Sequence, residues 1–251
     1  MHMIQKRLPA CIPLAALAAR GGGDTEDRLD VADPAVRFNQ ASPTLPAATL
    51  YRGTQAQPDA ANTSYGFASN DFDVDLGVSD WTVKTVAANT DVGTVSIDPQ
   101  RGTKYTVAAL ATSATISGAY RIADPYNKPL TSNSTHLRMM NAAYNVGSVG
   151  VYTNAPGINI GAARINPLIA ATGFNAAGPA SGSDSVDIPA GTYQLTATLA
   201  GTKTVLSRGQ LSFGNNQDLL LLTVPDTASI GAIKMLVKVA GSAETAEAPA
   251  S

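Results

Sequence analysis

Residues 36–42, Val36-Arg37-Phe38-Asn39-Gln40-Ala41-Ser42, return as Leu137-Arg138-Met139-Met140-Asn141-Ala142-Ala143. At the same offset of about 101 residues, Leu50-Tyr51 returns as Val151-Tyr152. A segment of about 100 residues that occurs twice in order is the mark of one domain present in two copies, each of ordinary domain size. The match continues after an insertion. Val74 to Val83 lies against Val186 to Leu195 at an offset grown to about 112, which sets Trp81 on Tyr193. Gly102 and Val107 then fall on Gly214 and Leu219, and Gly118-Ala119-Tyr120-Arg121-Ile122 falls on Gly231-Ala232-Ile233-Lys234-Met235. The copies are placed at 35–125 and 136–241.

Inside both copies the hydrophobic pattern has the period of strands. Val36 and Phe38 alternate with Arg37 and Asn39, and Trp81, Val83 and Thr85 alternate with Thr82 and Lys84. Tyr193, Leu195 and Ala197 alternate with Gln194, Thr196 and Thr198, and Ile233, Met235, Val237 and Val239 with Lys234, Leu236 and Lys238. Such alternation puts one face of each strand in a core and the other in water. Turn signals, among them Asp98-Pro99, Arg101-Gly102, Pro189-Ala190-Gly191 and Gly214-Asn215-Asn216, recur at the spacing of sandwiches. The chain is therefore expected to be all-β, two tandem immunoglobulin-like antiparallel β-sandwich domains with about seven strands each. The segment from Ala162 to Ala171 competes as a short helix, but Pro167 in its middle argues against it.

The flanks read differently. Met1 to Arg7 is a short cationic region, Leu8 to Ala19 is apolar, and Ala16-Leu17-Ala18 offers a small-residue cleavage pattern, so residues 1–19 are expected to be an export signal peptide. A stretch of twelve apolar residues is too short for a hydrocarbon core that needs about twenty. Residues 20–34, with Gly21-Gly22-Gly23 and an acidic run, read as a flexible tether, and residues 242–251 as a disordered tail. Leu17-Ala18-Ala19 before a Gly-rich tether resembles a bacterial lipoprotein signal, in which a cysteine follows. Here Arg20 stands in that place. A guanidinium cannot act as the thiolate nucleophile that lipidation requires. The expected location is extracytoplasmic (periplasm, outer membrane or secreted) in a bacterium, with membrane association only if the chain is lipidated, which Arg20 argues against.

Val36-Arg37, Ala41-Ser42-Pro43, the strand ending Leu50-Tyr51, and Ile188-Pro189-Ala190-Gly191-Thr192-Tyr193 together resemble the bacterial family catalogued as domain of unknown function 4397. The resemblance implies an extracytoplasmic immunoglobulin-like sandwich, often in tandem and often on lipoproteins. It brings no catalytic or binding residues. Two places depart from the pattern: the first copy has Gly77-Val78-Ser79-Asp80 where the second has Pro189-Ala190-Gly191, and the second has Ala143-Tyr144-Asn145 where the first has Ser42-Pro43-Thr44.

The inventory of reactive side chains narrows the function. Beyond the leader the chain has no cysteine and one histidine, His136, which removes cysteine nucleophiles, disulfides and multi-histidine metal sites. His136 is expected to be an exposed linker residue, since no Gly-x-Ser-x-Gly elbow accompanies it. Asn70-Asp71-Phe72-Asp73-Val74-Asp75 opens like a calcium loop, but Leu76 and Thr82 occupy the places of its glycine and its closing glutamate. Asp71, Asp73 and Asp75 are thus expected to face water from a strand edge. Trp81 and Tyr193 are read as packing between sheets rather than a sugar platform. With 14% charged residues and a net charge of −2, no basic face for nucleic acid is implied. No catalytic, cofactor-binding or metal residue is assigned and no cofactor is expected. The reading is a non-enzymatic binding or structural protein whose partner is an unknown envelope protein or polymer; a carboxylate-dependent hydrolase or accessory subunit of an envelope enzyme, and a calcium-dependent adhesin, are the alternatives.

The copies differ most between Tyr51 and Val74, 22 intervening residues, and between Tyr152 and Val186, where there are 33. Long loops on rigid scaffolds tend to carry function. The 155–180 segment is accordingly a candidate for a partner contact, with harmless drift in loop length as the alternative.

Overall fold

The computed structural model describes residues 33–125, 133–162, 164–228, 231–239 and 245–248. The leader, most of the tether and the lipidation position lie outside them. The chain is all-β: among the described residues the sole helical element is a 3-10 turn at Pro58–Ala60.

The first copy supplies β1 (Ala35–Gln40), β2 (Ala48–Arg52), β3 (Gln55–Ala56), β4 (Phe72–Asp73), β5 (Ser79–Thr85), β6 (Asp91–Ile97), β7 (Thr103–Ala111) and β8 (Ser117–Pro125). These form two sheets, β4-β1-β7-β8 and β3-β2-β5-β6, which we term A and B. Their inner faces enclose Val36, Phe38, Leu50, Trp81, Val83, Ile97 and Val107, all fully buried. Each such side chain contributes about 1.5–3 kcal/mol relative to exposure. Pairing is antiparallel except between β1 and β7, which run parallel. The sandwich closes where β6 passes β8: a Cβ built on Gly93 would lie 2.6 Å from the backbone nitrogen of Ala119. Gly93→Ala is expected to destabilise the chain by about 1–2 kcal/mol through this overpacking, measurable by urea unfolding; an unchanged midpoint would contradict the close approach.

The second copy supplies β9 (Ser134–Asn141), β10 (Val149–Asn154), β11 (Ile169–Thr172), β12 (Ala177–Gly178), β13 (Val186–Pro189), β14 (Gly191–Leu199), β15 (Val205–Phe213), β16 (Asp218–Pro225) and β17 (Ile233–Val239). Sheet C pairs β12 and β13 with one edge of β9, then continues through β16 and β17; sheet D runs β11-β10-β14-β15. Again the first strand pairs in parallel with the penultimate one, β9 with β16. Residues 245–248, expected to belong to a disordered tail, instead form β18, which pairs with the open edge of β17. An unpaired strand edge offers a row of backbone donors and acceptors, and an alternating Thr-Ala-Glu-Ala segment can satisfy them.

Strand register refines the correspondence between copies. Tyr51 pairs with Thr82 and Tyr152 with Thr196, so Trp81 corresponds to Leu195, and Tyr193 to Ser79. The sequence match set Trp81 on Tyr193 and was two residues out, which preserves the face because side chains alternate with period two. Trp81 and Leu195 are both fully buried, whereas Tyr193 is half-buried, stacks on Phe213 and donates its hydroxyl to the Pro189 carbonyl. On the last strand the slip is odd. Arg121 opposes Val107 as Val237 opposes Leu221, so Ile122 corresponds to Lys238 rather than Met235.

That odd slip matters because Ile122 and Met235 face different cores. Met235 lies inside the second sandwich. Ile122 belongs to a third apolar cluster with Ala108, Leu110, Met140, Leu220, Leu222, Val224 and Leu236. These are the outward faces of sheets A and C. The sheets therefore stack in the order B, A, C, D, and the middle two are buried on both sides.

Candidate functional site

The outward face of the stack's middle layers also holds its charged groups. Arg138 of β9 is 1% exposed. Its Nη1 donates to the carbonyls of Pro179 and Ala180 at 2.6 and 2.7 Å, and its Nη2 donates to Asp124 Oδ1 of β8 at 2.8 Å and to the Ser183 carbonyl. The Ser185 hydroxyl donates to the same carboxylate. Backbone bonds join in, with Gly182 N donating to the Ala123 carbonyl and Ala123 N to Ser181 Oγ. The later part of the long second-copy segment is thus a strap to β8 of the first copy rather than a free loop.

The contact is reciprocal. Lys238 of β17, also 1% exposed, donates to the Ala68 carbonyl at 3.4 Å, and Ala68 bridges Asn39 of β1. Beside it Arg37 Nε donates to Thr106 Oγ1, and Lys104 Nζ lies 3.1 Å from Asp71 Oδ2. Three cations so gather about one carboxylate. Burial pushes the Asp71 carboxyl up, but Arg37, Lys104 and Lys238 together hold it below its usual value. Burial and the Arg37 guanidinium lower Lys238 to about 8, against the pull of Asp71. Asp71 accordingly points into this junction and not to water as the strand pattern suggested. Asp73 and Asp75 do line a surface depression, about 360 Å³, together with Asp33, Arg52 and Arg101. Among the described residues no three His, Cys, Asp or Glu side chains gather in a metal-binding group.

His136 is not an exposed linker residue. It sits in β9 with its side chain 12% exposed, Nδ1 2.9 Å from Asp187 Oδ1, because β13 lays Asp187 directly opposite it. The aromatic candidates stay in packing roles: Trp81 packs on Phe72 at 6.1 Å and donates to Ser79 Oγ.

The earlier part of the second-copy segment makes a different site. Between β10 and β11 the chain arches over Tyr152 and, with the β14–β15 turn, surrounds a depression of about 680 Å³. Its lining includes Arg164, Ile165, Asn166, Pro167, Thr202 and Lys203. Leu168 N donates to the Val151 carbonyl and Gly157 N to Gln194 Oε1, which tie the arch to sheet D. Gly150 permits the close return, since a Cβ there would lie 2.8 Å from the Ala170 carbonyl. Lys203 Nζ lies 4.3 Å from the Tyr152 ring centroid and donates to the Ile165 carbonyl at 2.5 Å. The sequence pointed to the segment through its extra length, but nothing in it singled out Lys203, which comes from a turn about forty residues after Arg164.

Comparison with known proteins gives three findings. Residues 34–152 match the family model described as domain of unknown function (DUF4397), a stretch that runs through the first sandwich and into β9 and β10. No curated protein matches the chain. Among solved structures, a family 41 carbohydrate-binding module from streptococcal virulence factors, described for alpha-glucan recognition, overlaps 78% of this chain and 94% of its own at 13% identity and a TM-score of 0.24. A family 26 module, CBMbc of Eubacterium rectale Amy13K, solved with maltoheptaose, overlaps 87% and 97% at 9% identity and a TM-score of 0.23. Neither overlap is close enough to transfer a ligand.

Proposed function

We propose, from the match of residues 34–152 to the DUF4397 family model, that the chain is an extracytoplasmic, non-catalytic binding protein of the bacterial envelope, in which a rigid double sandwich displays one loop site. The observation that carries the reading is the division of the long second-copy segment. Its later half is consumed by Arg138 and β8 at the junction, while its earlier half is left on sheet D, at the outside of the stack, around a depression. Binding loops held by a stiff scaffold are the ordinary use of such an arrangement. The export-type leader and tether support the location, and the partner is an envelope protein or polymer.

The test is cross-linking in intact cells followed by fractionation, using the full chain and a variant in which residues 155–167 are replaced by a short turn. The expected result is recovery from the envelope, with a cross-linked partner that the shortened chain loses while it keeps its unfolding midpoint. Recovery from the cytoplasm, or identical partners for both chains, overturns the reading. Shortening through residue 180 would be a poor test, because it removes the Pro179 and Ala180 carbonyls that satisfy Arg138.

A further inference from the structure

Both copies place a lysine over the same tyrosine, and the two lysines differ in what neutralises them. In the first copy Lys84 Nζ lies 5.5 Å from the Tyr51 ring centroid and 3.0 Å from Asp91 Oδ1, so its charge is met within the fold. In the second, Lys203 sits over Tyr152, the counterpart of Tyr51, and its hydrogen bond goes to the neutral carbonyl of Ile165. Arg164 adds a second cation at the rim, and among the described residues no aspartate or glutamate lines the depression. In a chain whose acids outnumber its bases, 19 to 17, this is a concentration of positive charge with no carboxylate to match. Arg164 is moreover held at φ 71, a left-handed backbone that costs an L side chain about 1–2 kcal/mol. Strain of that kind is retained where the side chain is needed.

From these observations we infer that the depression binds an anionic group, a carboxylate or a phosphate. The inference rests on the binding reading above and names its ligand class. At about 680 Å³ the site has the size of ordinary small-ligand pockets. Stacking of a neutral sugar on Tyr152 is blocked, since the residue is 4% exposed and Lys203 lies over its ring. Recognition therefore runs through Lys203 and Arg164, with the Asn166 side chain available to hydrogen-bond neighbouring hydroxyls.

The experiment is titration of the purified chain with polygalacturonate, polyphosphate and amylose at low and high salt. The expected result is binding to one or both polyanions that weakens with salt, as exposed charge pairs do, and no binding to amylose; which polyanion binds distinguishes carboxylate from phosphate. Arg164→Gly is the informative variant. Glycine relaxes the left-handed position, so the unfolding midpoint is expected to rise by about 2 °C, while affinity falls about fivefold with the lost charge. Lys84→Gln, which removes the neutralised lysine of the first copy, leaves affinity unchanged. Equal binding of amylose, or wild-type affinity in Arg164→Gly, overturns the inference. So does a wild-type chain that still cross-links to an envelope partner yet binds neither polyanion, and in that case the broader binding reading stands.

Discussion

Arg138→Met is expected to lower the stability of the chain by about 3–5 kcal/mol, a fall of about 10 °C in the unfolding midpoint. The magnitude follows from what the guanidinium leaves behind. Asp124 would lose its buried partner, and the carbonyls of Pro179, Ala180 and Ser183 would lose a donor in a place that water does not reach freely. An uncompensated buried charge costs more than the pair contributed. Adding Asp124→Leu to the same chain should recover part of the loss, because an apolar pair of similar volume leaves no charge stranded. Denaturant unfolding of the two single variants and the double variant measures this. If Arg138→Met costs under about 1 kcal/mol, the value of an exposed ion pair, Arg138 does not hold the junction.

Lys238→Met is expected to act in the opposite direction and stabilise the chain by about 2 kcal/mol at neutral pH. Lys238 is held at about 8 against an ordinary 10.5, because burial and Arg37 disfavour the ammonium more than Asp71 supports it. Between those two values the unfolded chain keeps a proton that the folded chain has released. Wild-type stability therefore rises as pH goes from about 8 to about 10.5, and this group contributes no slope below that window. In Lys238→Met the rise should vanish. Asp71 acts at the other end: its carboxyl is held down, so its contribution is complete above 3.8 and is lost as pH falls through the lowered value. Urea midpoints across pH 6–10 for both chains decide the matter, and parallel profiles would sink it.

The strands were legible because alternation is written residue by residue. Val36 and Phe38 point inward and Trp81 and Val83 are buried, as the period requires. Register was less legible: an even slip such as Trp81 on Tyr193 in place of Leu195 leaves every side chain on its expected face and so betrays nothing. The junction did leave a sign in the uninterrupted run Leu219-Leu220-Leu221-Leu222, since a strand buried on both faces has no polar side to alternate. Arg37 and Arg138 disguised it by occupying outward positions that read as solvent-facing. His136 was misplaced for a related reason, because its partner Asp187 lies about fifty residues away and is brought opposite only by β13. Residue type alone could not find the depression, whose cations come from two separate turns.

The double burial of sheet A also has a consequence in time. β1 waits for β7 across about seventy residues before its parallel ladder can form, and Ala108, Leu110 and Ile122 then have nothing to rest on until β16 and β17 are delivered. Pairings so distant in the chain close slowly. Until then the first copy must hold an apolar face open to its surroundings. A stack of this order is completed by its last hundred residues and is vulnerable to aggregation until they arrive.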